Sequence, residues 1–132
     1  MTFLKHYLIT AVIFLGIDFI WLGAAASRLY REQIGFLMKD NFNLPAALVF
    51  YLFFAAGLTF FVVNKSVEAS SWQYALYAGL FFGFITYSTY DMTNYATIKD
   101  WPLMITVIDI IWGSFLCGVT SLLSYYVIGY FN

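Results

Sequence analysis

Charge is nearly absent from this sequence: 10% of its 132 residues are charged, against 63% hydrophobic and 23% aromatic. A soluble domain is about a quarter charged, and one core of this size cannot hide so many Phe, Tyr, Leu and Ile side chains from water. With a mean hydropathy of +0.82, lipid is part of the solvent. No excess of positive charge exists either. Six Lys and Arg stand against seven Asp and Glu, a net charge of −1, so no basic field is available to hold nucleic acid. Cysteine is limited to Cys117, which excludes an intrachain disulfide and a cysteine metal cluster. The single histidine, His6, precedes the first apolar stretch and reads as an interfacial residue. There is no H-E-x-x-H, G-x-S-x-G or P-loop, which argues against zinc hydrolysis, serine acyl transfer and nucleotide hydrolysis.

What the sequence does have is long apolar runs. Tyr7 to Ser27, Pro45 to Val63, Tyr74 to about Ile98 and Leu103 to about Phe131 each reach the roughly 20 residues that cross about 30 Å of hydrocarbon. They predict an all-α membrane protein, an antiparallel four-transmembrane-helix bundle forming one integral membrane domain over residues 1–132. The first run is too long for a cleaved signal peptide and carries Asp18, so it is expected to stay in the membrane. Pro45 and Pro102 suit first helical turns. The connection from Arg28 to Leu44 fits either a short helix in the headgroup layer or a solvated loop. Trp72, Trp101, Tyr7, Tyr125, Tyr126 and Tyr130 fall where amphipathic rings anchor at interfaces. Arg28, Arg31, Lys39 and Lys99 in the first and third connections outweigh Lys5 and Lys65 on the other side, which places both termini outside.

Every base lies in a connection or near a terminus, but three acids do not. Asp18, Asp91 and Asp109 sit inside the first, third and fourth runs, where an ionised carboxylate costs at least about 2.5–3.5 kcal/mol. They must be protonated, share protons, face trapped water or bind something positive. At about 1.5 Å of rise per residue, Asp18 lies roughly 13 Å, and Asp91 and Asp109 each roughly 10 Å, from the side that holds the first and third connections. A common depth on three helices is what a shared internal site requires, and their titrations would then be coupled.

The neighbours support convergence. Tyr87, Asp91 and Asn94 share one face of the third helix, and Thr86, Tyr90, Thr93 and Thr97 fill the adjoining stripe, so this surface is expected to look inward. Asp109, Gly113, Cys117, Thr120 and Ser124 make a small and polar stripe on the fourth, and Gly79 and Gly83 a similar contact surface on the third. Trp21 and Trp112 each follow an acid by three residues, so an indole N–H can donate to a carboxylate or line its pocket. Opposite chain directions would set the two indoles on opposite sides of the acid layer.

The motifs Asp18-x-x-Trp21-Leu-Gly23 with Leu29-Tyr30, Tyr87-x-x-Tyr90-Asp91-x-Thr93-Asn94-x-Ala96-Thr97, Trp101-Pro102-Leu103 and Asp109-x-x-Trp112-Gly113 carry a resemblance over nearly the whole chain. It resembles the bacterial membrane-protein family catalogued as domain of unknown function 2177. The resemblance implies a four-span, multi-pass protein of the bacterial inner membrane. It also tilts the reading towards lipid, because relatives are sometimes encoded beside enzymes that modify unsaturated fatty acyl chains.

The leading expectation is therefore an acid-lined, aromatic-walled cavity that binds, and by acid–base catalysis modifies, a small amphiphile or membrane lipid. Asp91 and Asp109 would share a proton with Asp18 as partner acid, and Trp21, Tyr87, Tyr90, Asn94 and Trp112 would bind the ligand. No cofactor, metal or nucleic acid is called for, although three carboxylates and Asn94 could suit a hard cation. Two other readings stand beside it: a proton-coupled small-molecule transporter working as a homodimer, and a structural membrane subunit glued by buried acids.

Overall fold

The computed structural model describes residues 2–41 and 43–132, and these are all-α, with no strand among them. α1 (Thr2–Trp21) runs through a π-type turn (Leu22–Ala26) into α2 (Ser27–Ile34) and a short 3₁₀ turn (Gly35–Leu37). α3 (Leu44–Leu58) continues through a second π-type turn (Thr59–Val63) into α4 (Asn64–Glu68), and α5 (Trp72–Thr97) and α6 (Leu103–Phe131) complete the chain. The connection after Arg28 is thus helical at its start, which favours the helix over the loop. Pro45 occupies the first turn of α3, where the Asn43 side chain accepts from the Ala46 N–H. Pro102 is the residue that introduces α6.

Three continuous helical stretches, Thr2–Leu37, Leu44–Glu68 and Leu103–Phe131, are long and apolar enough to cross a membrane. α5 has the length, 26 residues, but Tyr, Ser, Thr, Asp and Asn dilute its apolar character.

Polarity is arranged inside out. The buried positions of α1 are His6, Thr10, Phe14 and Asp18, four residues apart and so on one face, while Val12, Phe19 and Ile20 are exposed. Backbone polar groups are satisfied within the helices, so apolar side chains are free to face hydrocarbon while hydroxyls and carboxyls turn inward. His6 is likewise turned into the protein. It is 4% exposed, with Nδ1 2.6 Å from the amide oxygen of Asn64, because α1 begins at Thr2, several residues earlier than the apolar run suggested.

The tightest seam joins α5 and α6, which run in opposite directions. A Cβ added at Gly79 would lie 2.7 Å from the carbonyl oxygen of Cys117, and one at Gly83 would collide with the backbone of Gly113. The glycines therefore admit direct backbone approach, as the small-residue stripes predict, and Gly113, Cys117, Thr120 and Ser124 are all buried. α1 runs against α6, from Lys5 Nζ donating to Asn132 Oδ1 at 2.8 Å to Trp112 beside Asp18. It also runs against α3, from His6 beside Asn64 to Asp18 beside Tyr51. An apolar plug of Phe14, Leu58, Val62, Leu116 and Cys117 fills the centre.

Candidate functional site

Carboxyls from three helices come together next to that plug. Asp18, 5% exposed, accepts hydrogen bonds from the Tyr51 hydroxyl of α3 at 2.7 Å and from Trp112 Nε1 of α6 at 3.2 Å. Asp109, 9% exposed, accepts from the Tyr30 hydroxyl of α2 at 2.5 Å. Asp91, 1% exposed, has a donor on neither oxygen. It stands close enough to Asp109 for the two carboxyls to interact, and Asp18 is within electrostatic reach of Asp109. Among the described residues no three His, Cys, Asp or Glu side chains stand close enough together to hold one metal ion. The acids form a layer, not a coordination sphere.

The register that brings Tyr30 to Asp109 depends on the first π-type turn. Twelve residues separate Asp18 from Tyr30, which in regular helix would turn Tyr30 about 120° away from the face of Asp18. The extra residue held by a π-type turn reduces the difference to about 20°, and α2 presents Tyr30 to α6.

A half-open cleft of about 550 Å³ reaches this layer from the side. α3 contributes Phe50 and Phe54, α5 contributes Thr86, Tyr87, Thr89 and Tyr90, and α6 contributes Asp109 at the inner end. α3 meets α5 through its π-type turn and through Phe54, whose ring packs edge-on against Phe82 and Tyr87. Nearer Leu44 the two helices leave room, and the exposed rings of Phe50 and Tyr90 frame the mouth.

Tyr87 and Tyr90 line this cleft. Of the acids only Asp109 lines it; Asp18, Asp91, Trp21, Trp112 and the half-buried Asn94 are not among its lining residues. Trp21 and Trp112 stand beside the acids, but not on opposite sides of them: their rings stack with centroids 4.5 Å apart. Helical side chains lean towards their own N-terminus, so in antiparallel helices both indoles lean back into the acid layer and meet. The threonine stripe of α5 also departs from expectation. Thr93 and Thr97 are exposed, and their hydroxyls donate to the carbonyls of Thr89 and Thr93. Bonding to the preceding turn satisfies them without an inward face. Trp101 is buried, its ring edge-on to that of Tyr90.

Tyr30 and Tyr51 are the donors that sequence reasoning missed. For Tyr51 a signal existed, since it is the one side chain with a polar group between Pro45 and Leu58. Tyr30 stood in the Leu29-Tyr30 motif, but nothing there pointed to Asp109, because a π-type turn leaves no mark in composition.

No curated protein and no solved structure matches this chain. Residues 3–126 match the family described as a predicted membrane protein, DUF2177, and the chain, with its outward apolar surface and inward acids, belongs to that family.

Proposed function

We propose that this protein binds a small amphiphile or membrane lipid in the cleft between α3 and α5, with the head at the acid layer and the tail along Phe50 and Phe54. The observation that carries this reading is the cleft itself: apolar and aromatic at its mouth, about 550 Å³ in volume, and ending on the carboxyl of Asp109. That is the form of a small-molecule site, mostly apolar with few convergent polar groups. In this reading α5 also crosses the bilayer. The protein is then a four-span antiparallel bundle of the bacterial inner membrane with both termini outside, and its polar α5 face is covered by α6 and by the ligand. Asp91 and Asp109 share a proton, Asp18 is the partner acid, and the set acts as general acid and base on the bound head. The plug of Phe14, Leu58 and Leu116 lies between the acids and the His6–Asn64 end. This supports binding over passage through the protein.

The test is native mass spectrometry of protein purified in a nonionic detergent. Wild type is expected to retain an amphiphile that Asp18→Asn, Asp91→Asn and Asp109→Asn lose while staying folded. Undiminished retention in all three variants overturns the proposal, and a change in stability alone would assign the acids to a structural subunit.

A further inference from the structure

Resting on that cleft, we infer that the head group it receives is an organic cation, an alkylammonium, so that the ligand is an amphiphilic amine. The charge balance of the interior points there. All six Lys and Arg side chains are exposed, and the donors that reach the acids are two phenols and an indole. Asp18 takes two of these donors and Asp109 one, which leaves both buried oxygens of Asp91 with none. A protein that buries a carboxyl normally supplies a base or a neutral donor as its partner, and here the partner beside Asp91 is another acid, Asp109.

An anionic head would add a further like charge with no base to meet it. An uncharged head would leave the proton-sharing Asp91 and Asp109 pair with one buried negative charge. One proton and one ammonium, in contrast, neutralise the Asp91 and Asp109 pair. The walls suit the same head. Tyr87 and Tyr90 present aromatic rings in the cleft on the helix that carries Asp91, and ring faces attract ammonium groups through their quadrupole. A metal ion is a poorer fit, since among the described residues no three His, Cys, Asp or Glu side chains stand close enough to hold one and the cleft is far larger than an ion.

The experiment is a titration of the protein in nonionic micelles at neutral pH with dodecylammonium and, separately, with dodecanol, followed by tryptophan fluorescence. Wild type is expected to bind the ammonium about tenfold more tightly than the alcohol. Asp91→Asn and Asp109→Asn should bring the two towards parity, whereas Phe50→Ala should weaken both alike and keep their ratio. Equal binding of the two probes by wild type overturns the cation inference while leaving the amphiphile cleft standing. Failure of wild type to bind either probe removes the cleft reading as well. Because the decisive ratio is measured on wild type, a variant that does not fold cannot shield the inference.

Discussion

A buried carboxyl is tolerated here through hydroxyl and indole donors in place of bases, and Asp18 shows how much depends on each. Its oxygens are held by Tyr51 at 2.7 Å and Trp112 at 3.2 Å. Removing the shorter of the two leaves a buried acceptor short of a partner, so Tyr51→Phe is expected to lower stability by about 1–3 kcal/mol, read from thermal unfolding in detergent. Tyr7→Phe, which deletes an exposed hydroxyl bonded to the Leu52 carbonyl, should cost about 0.5 kcal/mol or less. Equal effects would mean that the Asp18 bond carries no particular weight. The acids were legible in the sequence because a carboxyl is out of place in a run such as Gly16-Ile17-Asp18-Phe19-Ile20. Of their donors the Trp112 indole was legible too, whereas the Tyr30 and Tyr51 hydroxyls were not assigned, because tyrosine is at home in any membrane protein and its hydroxyl declares no destination.

Helix seams were legible for a different reason. Spacings of four and three along α6, and the Gly79 and Gly83 pair of α5, describe a surface that two backbones can share, and the structure puts these residues in contact. A methyl group has no room there. Gly83→Ala is expected to push α5 from α6 and cost about 1–3 kcal/mol. Gly16→Ala, with nothing within 4 Å of an added Cβ, should be neutral or stabilise by about 0.5–1 kcal/mol through helix propensity. Thermal unfolding of the two variants distinguishes them, and a stabilised Gly83→Ala protein would contradict the packing described. The π-type turns at Leu22–Ala26 and Thr59–Val63 stayed hidden, since they change hydrogen-bond register without changing hydropathy. The first of them decides which face Tyr30 shows, and with it the donor that Asp109 receives.

Taken whole, the molecule reverses the soluble pattern, and that reversal was readable from composition alone. The division into helices followed from the apolar runs, although α5 is too polar to be marked as membrane-crossing by hydropathy. The polar residues that weaken its hydropathy are partly those that line the cleft, Thr86, Tyr87, Thr89 and Tyr90. The cleft itself could not be read in advance. It depends on α3 closing on α5 at one end and standing off at the other, a matter of helix inclination. The surrounding apolar surface, with Phe19, Ile20 and Ile111 more than half exposed, offers an amphiphile many nonspecific positions, so location is the decisive quantity. The most direct measurement is photo-crosslinking in native membranes with a diazirine-bearing alkylammonium, the adducts then being placed by peptide mass spectrometry. Adducts concentrated on Phe50, Phe54 and Tyr90, and lost in Asp109→Asn, are the predicted result; adducts spread over Phe19, Ile20 and Ile111 and unaffected by that substitution would contradict a ligand site at the gathered acids.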